Sequence, residues 1–149
     1  MSAQKLFDLT GRVALITGGS RGLGLQIAHG FGASGAKLAL TARKADELES
    51  ARAELAALGY PVFVVPSDLS KPETIAPMVE AVIGHFGRID ILVNNAGASW
   101  GAPAETYPLD AWNKVLNTNV TGAFLVSQQV AARSMIPNRH GAIVNVASV

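Results

Sequence analysis

Short apolar runs alternate along the whole chain with longer segments of helical spacing, and few folds other than a parallel sheet wound by crossover helices satisfy that alternation. Parallel neighbours cannot be joined by a tight turn, so each strand needs a crossover before the next. Arg12 to Thr17 reads as the first strand and Gly18 to Gly24 as the turn after it. A helix follows, with Leu25, Ala28 and Phe31 on one side. Lys37 to Ala42 is a second strand, Ala45 to Leu58 a helix ended by Gly59, and Val62 to Val65 a third strand. Ser70-Lys71-Pro72-Glu73 reads as an N-cap, an early Pro and a first-turn acid, opening a helix to about Phe86. Ile89 to Val93 is a fourth strand, apolar apart from Asp90, as a sheet covered on both faces requires. Ala98 to Pro108 is a loop, Leu109 to Met135 a long helix broken by Pro137-Asn138, and Gly141 to Ala147 a fifth strand.

The 149 residues fit one domain, spanning 1–149, and 49% hydrophobic with 15% charged residues is the balance of a chain with a buried core. A net charge of +1 provides no field for nucleic acid or an anionic membrane, so neither partner is expected. Cys is absent, which excludes disulfides, thiolate metal sites and thiol nucleophiles and suits a reducing cytoplasm. Met1 to Thr10 lacks the basic start and apolar stretch of a secretory signal. No apolar run approaches the roughly 20 residues that span a bilayer. A soluble, cytoplasmic protein is the expectation.

Thr17-Gly18-Gly19-Ser20-Arg21-Gly22-Leu23-Gly24 follows a strand and opens a helix, which is the context a nucleotide-binding turn requires. Residues without a Cβ let the backbone turn sharply and approach a pyrophosphate, whose oxygens then face free N–H groups at the positive helix end. The spacing is Gly-x-x-x-Gly-x-Gly, not the commoner Gly-x-Gly-x-x-Gly. No Lys-Ser/Thr pair follows Gly24, so a P-loop triphosphatase is disfavoured. By itself the turn is equally compatible with an ordinary strand-to-helix connection.

Thr17 to Gly24 resembles the TGxxxGxG signature of the short-chain dehydrogenase/reductase family, and further matches follow in order. Asp68-Leu69 ends the third strand, where the family places an Asp that accepts from the adenine amino group. Asn94-Asn95-Ala96-Gly97 ends the fourth strand, Asn119 lies within Thr118-Asn119-Val120-Thr121-Gly122, and Ser148 sits where the family's catalytic Ser does. The resemblance covers essentially the whole chain. It implies an α/β, Rossmann-type doubly wound parallel sheet of order 3-2-1-4-5, stopping after the fifth strand. It also implies cofactor contacts from Gly18, Ser20, Arg21, Gly22, Leu23, Gly24, Arg43, Asp68, Leu69, Asn95, Ala96 and Gly97. Ser148 would polarise a substrate carbonyl and Asn119 anchor a water in the proton relay.

The family's Tyr-x-x-x-Lys falls beyond Val149, and neither Tyr60 nor Tyr107 substitutes, because Val64 and Ala111 stand where the Lys would be. The expectation is therefore an oxidoreductase domain incomplete at its C-terminus, inactive alone, acting when whole on a small-molecule carbonyl or alcohol. The family further implies a homotetramer, and the opening Leu6 to Arg12 is similar to gluconate 5-dehydrogenase-like and 3-oxoacyl-carrier-protein reductase-like members. A non-catalytic dinucleotide-binding module or redox sensor is the other reading that an intact Gly turn without the Tyr-Lys pair permits.

Cofactor choice turns on the end of the second strand, where a carboxylate accepts from a ribose 2′-OH but repels a 2′-phosphate. The strand ends Thr41-Ala42-Arg43-Lys44, with Ala42 where NAD-preferring members of the family carry Asp. Arg43, with Arg21 in the turn, offers guanidinium donors suited to phosphate. NADP(H) is expected, with NAD(H) possible. His29, His85 and His140 are too dispersed for a metal site or for a triad with Ser148, and no metal is expected. Trp100 and Trp112 flank the loop after Gly97, as pocket lining or as core.

Overall fold

The computed structural model describes residues 3–147. A five-stranded sheet carries strands β1 (Val13–Thr17), β2 (Lys37–Ala42), β3 (Val62–Pro66), β4 (Ile91–Asn94) and β5 (Ala142–Asn145) in the order β3-β2-β1-β4-β5. All four pairings are parallel. A short helix α1 (Ala3–Leu6) precedes β1, and α2 (Gly22–Ala33), α3 (Ala45–Ala57) and α4 (Ile75–Phe86) make the first three crossovers.

The two-residue period of a strand assigns side chains to opposite faces, and the faces have separate cores. Ile16, Leu38, Leu40 and Val93 pack with Ala28 of α2 and with Leu48, Ala51 and Leu55 of α3. Leu15, Ala39 and Leu92 point the other way, against Met78, Val79 and Val82 of α4 and against Val126 and Val130. Emptying any of these buried Leu positions to Ala costs about 2–5 kcal/mol.

The fourth crossover is one helical run with two widened turns: α5 (Leu109–Leu116), a π turn at Asn117–Gly122, α6 (Ala123–Val130), a second π turn at Ala131–Met135, and α7 (Ile136–Asn138). It extends beyond the expected Met135, because Pro137 stands two residues after a widened turn, where the ordinary ladder is already interrupted. The run ends at Arg139, whose φ of 53° is left-handed.

Other expectations are corrected. Ser70 does not cap a helix: its N–H and hydroxyl both turn back to Asp68 Oδ1, and a 3₁₀ turn at Pro72–Thr74 leads into α4. The fourth strand starts at Ile91 and runs into Asn94, which stands in register with Asn145. The first and fifth strands are shorter than expected, at Val13–Thr17 and Ala142–Asn145. At the sheet edge, the β5 side chains Ile143 and Val144 are exposed. Among the described residues no helix is long and apolar enough to cross a membrane.

Candidate functional site

Parallel pairing brings the carboxyl ends of all strands to one side of the sheet, and the strand order reverses between β1 and β4. A crevice opens at such a reversal. The turn after β1 forms its floor: Gly18 (φ 66°) and Gly22 (φ 54°) are left-handed, and α2 begins at Gly22. Arg21 flanks the helix start in extended conformation with no side-chain cap, the first-turn N–H groups of α2 lack helical partners, and Gly22 at that helix start lines the crevice. Gly24 fixes how closely α2 approaches: a Cβ there would stand 2.1 Å from the Gly18 carbonyl oxygen.

Thr17 joins the two central strands. Its Oγ1 accepts from the Asn95 and Ala96 N–H groups, each at 3.0 Å, and donates to the Val93 carbonyl at 3.4 Å. Asn95 Nδ2 donates to the Thr17 and Gly18 carbonyls at 3.1 and 3.3 Å. The segment Asn95 to Gly97 is thus locked against the glycine turn. Beneath it, Asn94 Nδ2 donates to Ser127 Oγ at 2.9 Å and to Asn145 Oδ1 at 2.8 Å.

The cavity above this floor is lined by Gly18, Ser20, Arg21 and Gly22 from the turn, by Thr41 to Lys44 from the end of β2, and by Glu47 from α3. Ser67, Asp68 and Leu69 line it from the end of β3, Asn95 to Ala98 from the end of β4, and Thr118 from the π turn. Of the residues expected from the sequence, Leu23 is exposed on the first turn of α2 and Gly24 is buried behind the turn, and neither lines the cavity. Asn119 commits both side-chain groups to the backbone of Ala98. Ser148 lies outside the described residues.

Sequence reasoning missed the Thr17 hydroxyl as a clamp and the lining roles of Thr41, Ser67, Thr118 and Glu47. The Lys44-x-x-Glu47 spacing, an i,i+3 pair on a helix start, was the one readable signal for Glu47. The histidines stand apart: His29 pairs with Glu54 at 2.6 Å, His85 stacks on Phe63 at 4.3 Å, and His140 lies 3.9 Å from Asp90. Among the described residues no group of three or more His, Asp or Glu could hold a metal. Trp100 and Trp112 are exposed and linked through Tyr107, which donates to the Trp100 carbonyl at 3.1 Å and meets Trp112 edge-on at 6.1 Å.

Charge in the cavity is mixed, with Arg21, Arg43 and Lys44 set against Glu47 and Asp68. Burial pushes the Asp68 carboxyl up, but the two Ser70 donors, with Lys71 and Arg43 positive nearby, outweigh it and hold the group below its ordinary value. Both Ser70 bonds go to Oδ1, at 2.7 and 3.1 Å. Among the described residues Oδ2 has no donor, so the charged carboxylate can accept from a ligand.

Among known proteins, the chain is similar to the gluconate 5-dehydrogenase of Gluconobacter oxydans (strain 621H), with 41% identity over 149 residues, all of this chain and 58% of that one. A metagenomic short-chain oxidoreductase crystallised in complex with NADP superposes with TM-score 0.90 at 37% identity, covering 95% of this chain and 64% of that one. An NAD+-bound xylitol dehydrogenase gives TM-score 0.90 at 38% identity, covering 94% of this chain and 54% of that one. The chain therefore spans somewhat over half the length of the relatives it matches. A family model described as short chain dehydrogenase matches residues 12–149, and with the glycine turn, the locked Asn95–Gly97 segment and the strand order in place, the chain belongs to that family.

Proposed function

We propose that the protein is an oxidoreductase that transfers a hydride between NADP(H) and a small carbonyl or secondary-alcohol substrate, with residues 1–149 forming its dinucleotide-binding unit. The observation that carries this reading is the glycine turn at the β1–β4 reversal, where left-handed Gly18 and Gly22 line the cavity at the start of α2 and Gly24 lets that helix close onto the turn. Thr41 adds support: its Oγ1 lies buried against the cavity without a partner among the described residues.

When bound, the dinucleotide supplies or takes up the hydride. The chain's own residues hold and orient it. The turn from Gly18 to Gly24 receives the diphosphate, with Leu23 on the helix start, and Asp68 with Leu69 meets the adenine. Asn95, Ala96 and Gly97 form the wall toward the nicotinamide end. Arg21 and Arg43 favour a 2′-phosphate, so NADP(H) is preferred and NAD(H) tolerated. Asn119 shapes the loop over the reacting end, and Ser148 polarises the substrate oxygen. Trp112, Leu116, Val120 and Phe124, all exposed and spaced by four residues, form a stripe along the long helix suited to self-association of the whole protein into a tetramer. The lack of Cys suits a cytoplasmic setting.

The test is equilibrium titration of the full-length gene product with NADPH and NADH, followed by turnover on a panel of ketones and sugar alcohols. Arg43→Ala is expected to weaken NADPH far more than NADH. Equal losses would refute the assignment of Arg43, and no binding of either dinucleotide would refute the function.

A further inference from the structure

We propose that Glu47, on the first turn of α3, sets how strongly the cavity discriminates between 2′-phosphorylated and unphosphorylated dinucleotides, supplying from the helix the acid that Ala42 lacks at the strand end. The inference rests on reading the cavity as a dinucleotide site.

One end of the cavity is lined by Ser20, Arg21, Ala42, Arg43, Lys44 and Glu47. Glu47 bridges its two walls. Oε1 accepts from Lys44 Nζ at 2.8 Å, and Oε2 accepts from Ser20 Oγ at 3.4 Å, across from the end of β2. The Glu47 side chain is 29% exposed against 64% for Lys44, so the carboxylate is the inner member of the pair and the ammonium the outer. An inner carboxylate has two effects on a ligand placed between Ser20 and Arg43. It accepts a hydrogen bond from a free ribose hydroxyl, and it repels a phosphate at the same position while engaging the Lys44 charge that would otherwise attract it. The Lys44 hydrogen bond holds the Glu47 carboxyl below its ordinary value, against a smaller upward push from burial, with Lys44 and Arg21 positive nearby, so the group is charged at neutral pH.

The cations Arg21 and Arg43 and the anion Glu47 thus pull in opposite directions. Selectivity for the phosphorylated cofactor is their difference, and Glu47 keeps it incomplete. Thr41 Oγ1, buried without a partner among the described residues, borders the same cavity and marks it as shaped for a ligand that brings its own polar groups.

The experiment measures dissociation constants of NADP+ and NAD+, and of the half-ligands 2′,5′-ADP and 5′-AMP, for the full-length protein and its Glu47→Gln variant. Glu47→Gln retains the side-chain size and an oxygen for Lys44 but removes the charge. The preference for the 2′-phosphorylated member of each pair is expected to rise about tenfold at low salt, and the gain to shrink as salt screens the site. In a Lys44→Met background, where the carboxylate is unopposed, the same substitution is expected to raise it further, a coupling that a merely structural ion pair would not show. An unchanged preference, or one that moves toward the unphosphorylated cofactor, overturns the role of Glu47. If the unsubstituted protein binds neither dinucleotide, the reading of the cavity itself falls, and Glu47 with it.

Discussion

Asn119 and Ala98 are joined by a closed pair of hydrogen bonds: the Ala98 N–H donates to Oδ1 at 2.7 Å, and Nδ2 donates to the Ala98 carbonyl at 2.8 Å. The amide pairs with backbone as a neighbouring strand would, and it ties the loop after Gly97 to the π turn of the long helix. Asn119 lies within that widened turn, and such turns recur at functional sites.

Removing that side chain should loosen the loop without unfolding the sheet. Each exposed bond contributes about 0.5–1.5 kcal/mol net, so Asn119→Ala is expected to speed amide exchange at Ala98 and its neighbours about tenfold while moving the global urea midpoint little. Asn119→Asp sets a carboxylate oxygen against the Ala98 carbonyl and should be no better. Unchanged exchange in the alanine variant would show that the pair does not hold the loop.

Gly22 and Gly24 are two residues apart and should respond differently to alanine. A Cβ at Gly24 would lie 2.1 Å from the Gly18 oxygen and 2.6 Å from Asn95 Nδ2, and neither the turn nor the locked segment can give way without reshaping the cavity floor. Gly24→Ala is therefore expected to abolish dinucleotide binding and to cost several kcal/mol. Gly22 has φ 54° with no protein atom within 4 Å of its Cβ position, so Gly22→Ala should lose only the left-handed strain of about 1–2 kcal/mol in stability. Comparable losses of stability for both, by thermal melting, would contradict this account.

The strands and the glycine turn were legible because they are written in local chemistry. Runs such as Val13 to Ile16 must be buried on both faces, and Gly18, whose left-handed φ suits it to the turn, ends the first run. Parallel pairing then places every strand end on one side, which is why Arg43, Asp68 and Asn95 meet although distant in sequence. What sequence could not supply is set by partners across space. The fourth strand ends where Asn94 pairs with Asn145, and Ser70 turns back to Asp68 instead of capping α4. The π turns at Asn117–Gly122 and Ala131–Met135 each add a residue to a turn without breaking the apolar pattern, so periodicity passes over them. The Lys44-x-x-Glu47 spacing shows no more than a pair at a helix start, and only the approach of Glu47 to Ser20 brings it to the cavity.

The lowered Asp68 pKa makes stability depend on pH with a definite sign. The folded chain binds this proton more weakly than the unfolded chain does, so the contribution is fully present above the ordinary Asp value of about 3.9 and is lost as pH falls through the lower folded value. Asp68→Asn should therefore be less stable than the parent by a constant amount above about pH 5, with the gap closing in acid. Ser70→Ala, lacking the hydroxyl that donates at 2.7 Å, should shift the acid limb to higher pH. Urea denaturation across pH 2–7 checks both, and a gap that does not close in acid would rule out the carboxylate as its source.

Asp90 tests whether the end of the sheet opposite the crevice is purely structural. Its carboxylate, 4% exposed, accepts from the Val13 N–H and from Arg88 Nε, each at 2.9 Å, with Arg12 3.9 Å away. Val13 opens β1 and is buried, so Asp90→Ala would take away the side-chain acceptor of its N–H. The expected loss is about 2–4 kcal/mol, because an orphaned buried donor and a severed charge contact act together. Asp90→Asn keeps an oxygen for Val13 and loses only the charge; Arg12 and Arg88 can then hydrate, since both are more than 40% exposed. Its cost should be about half as large. Both variants, measured well below their urea midpoints, should bind dinucleotide with the parent's dissociation constant, because the strands separate Asp90 from the cavity. A folded Asp90→Asn protein with weakened binding would show that the two ends of the sheet are coupled.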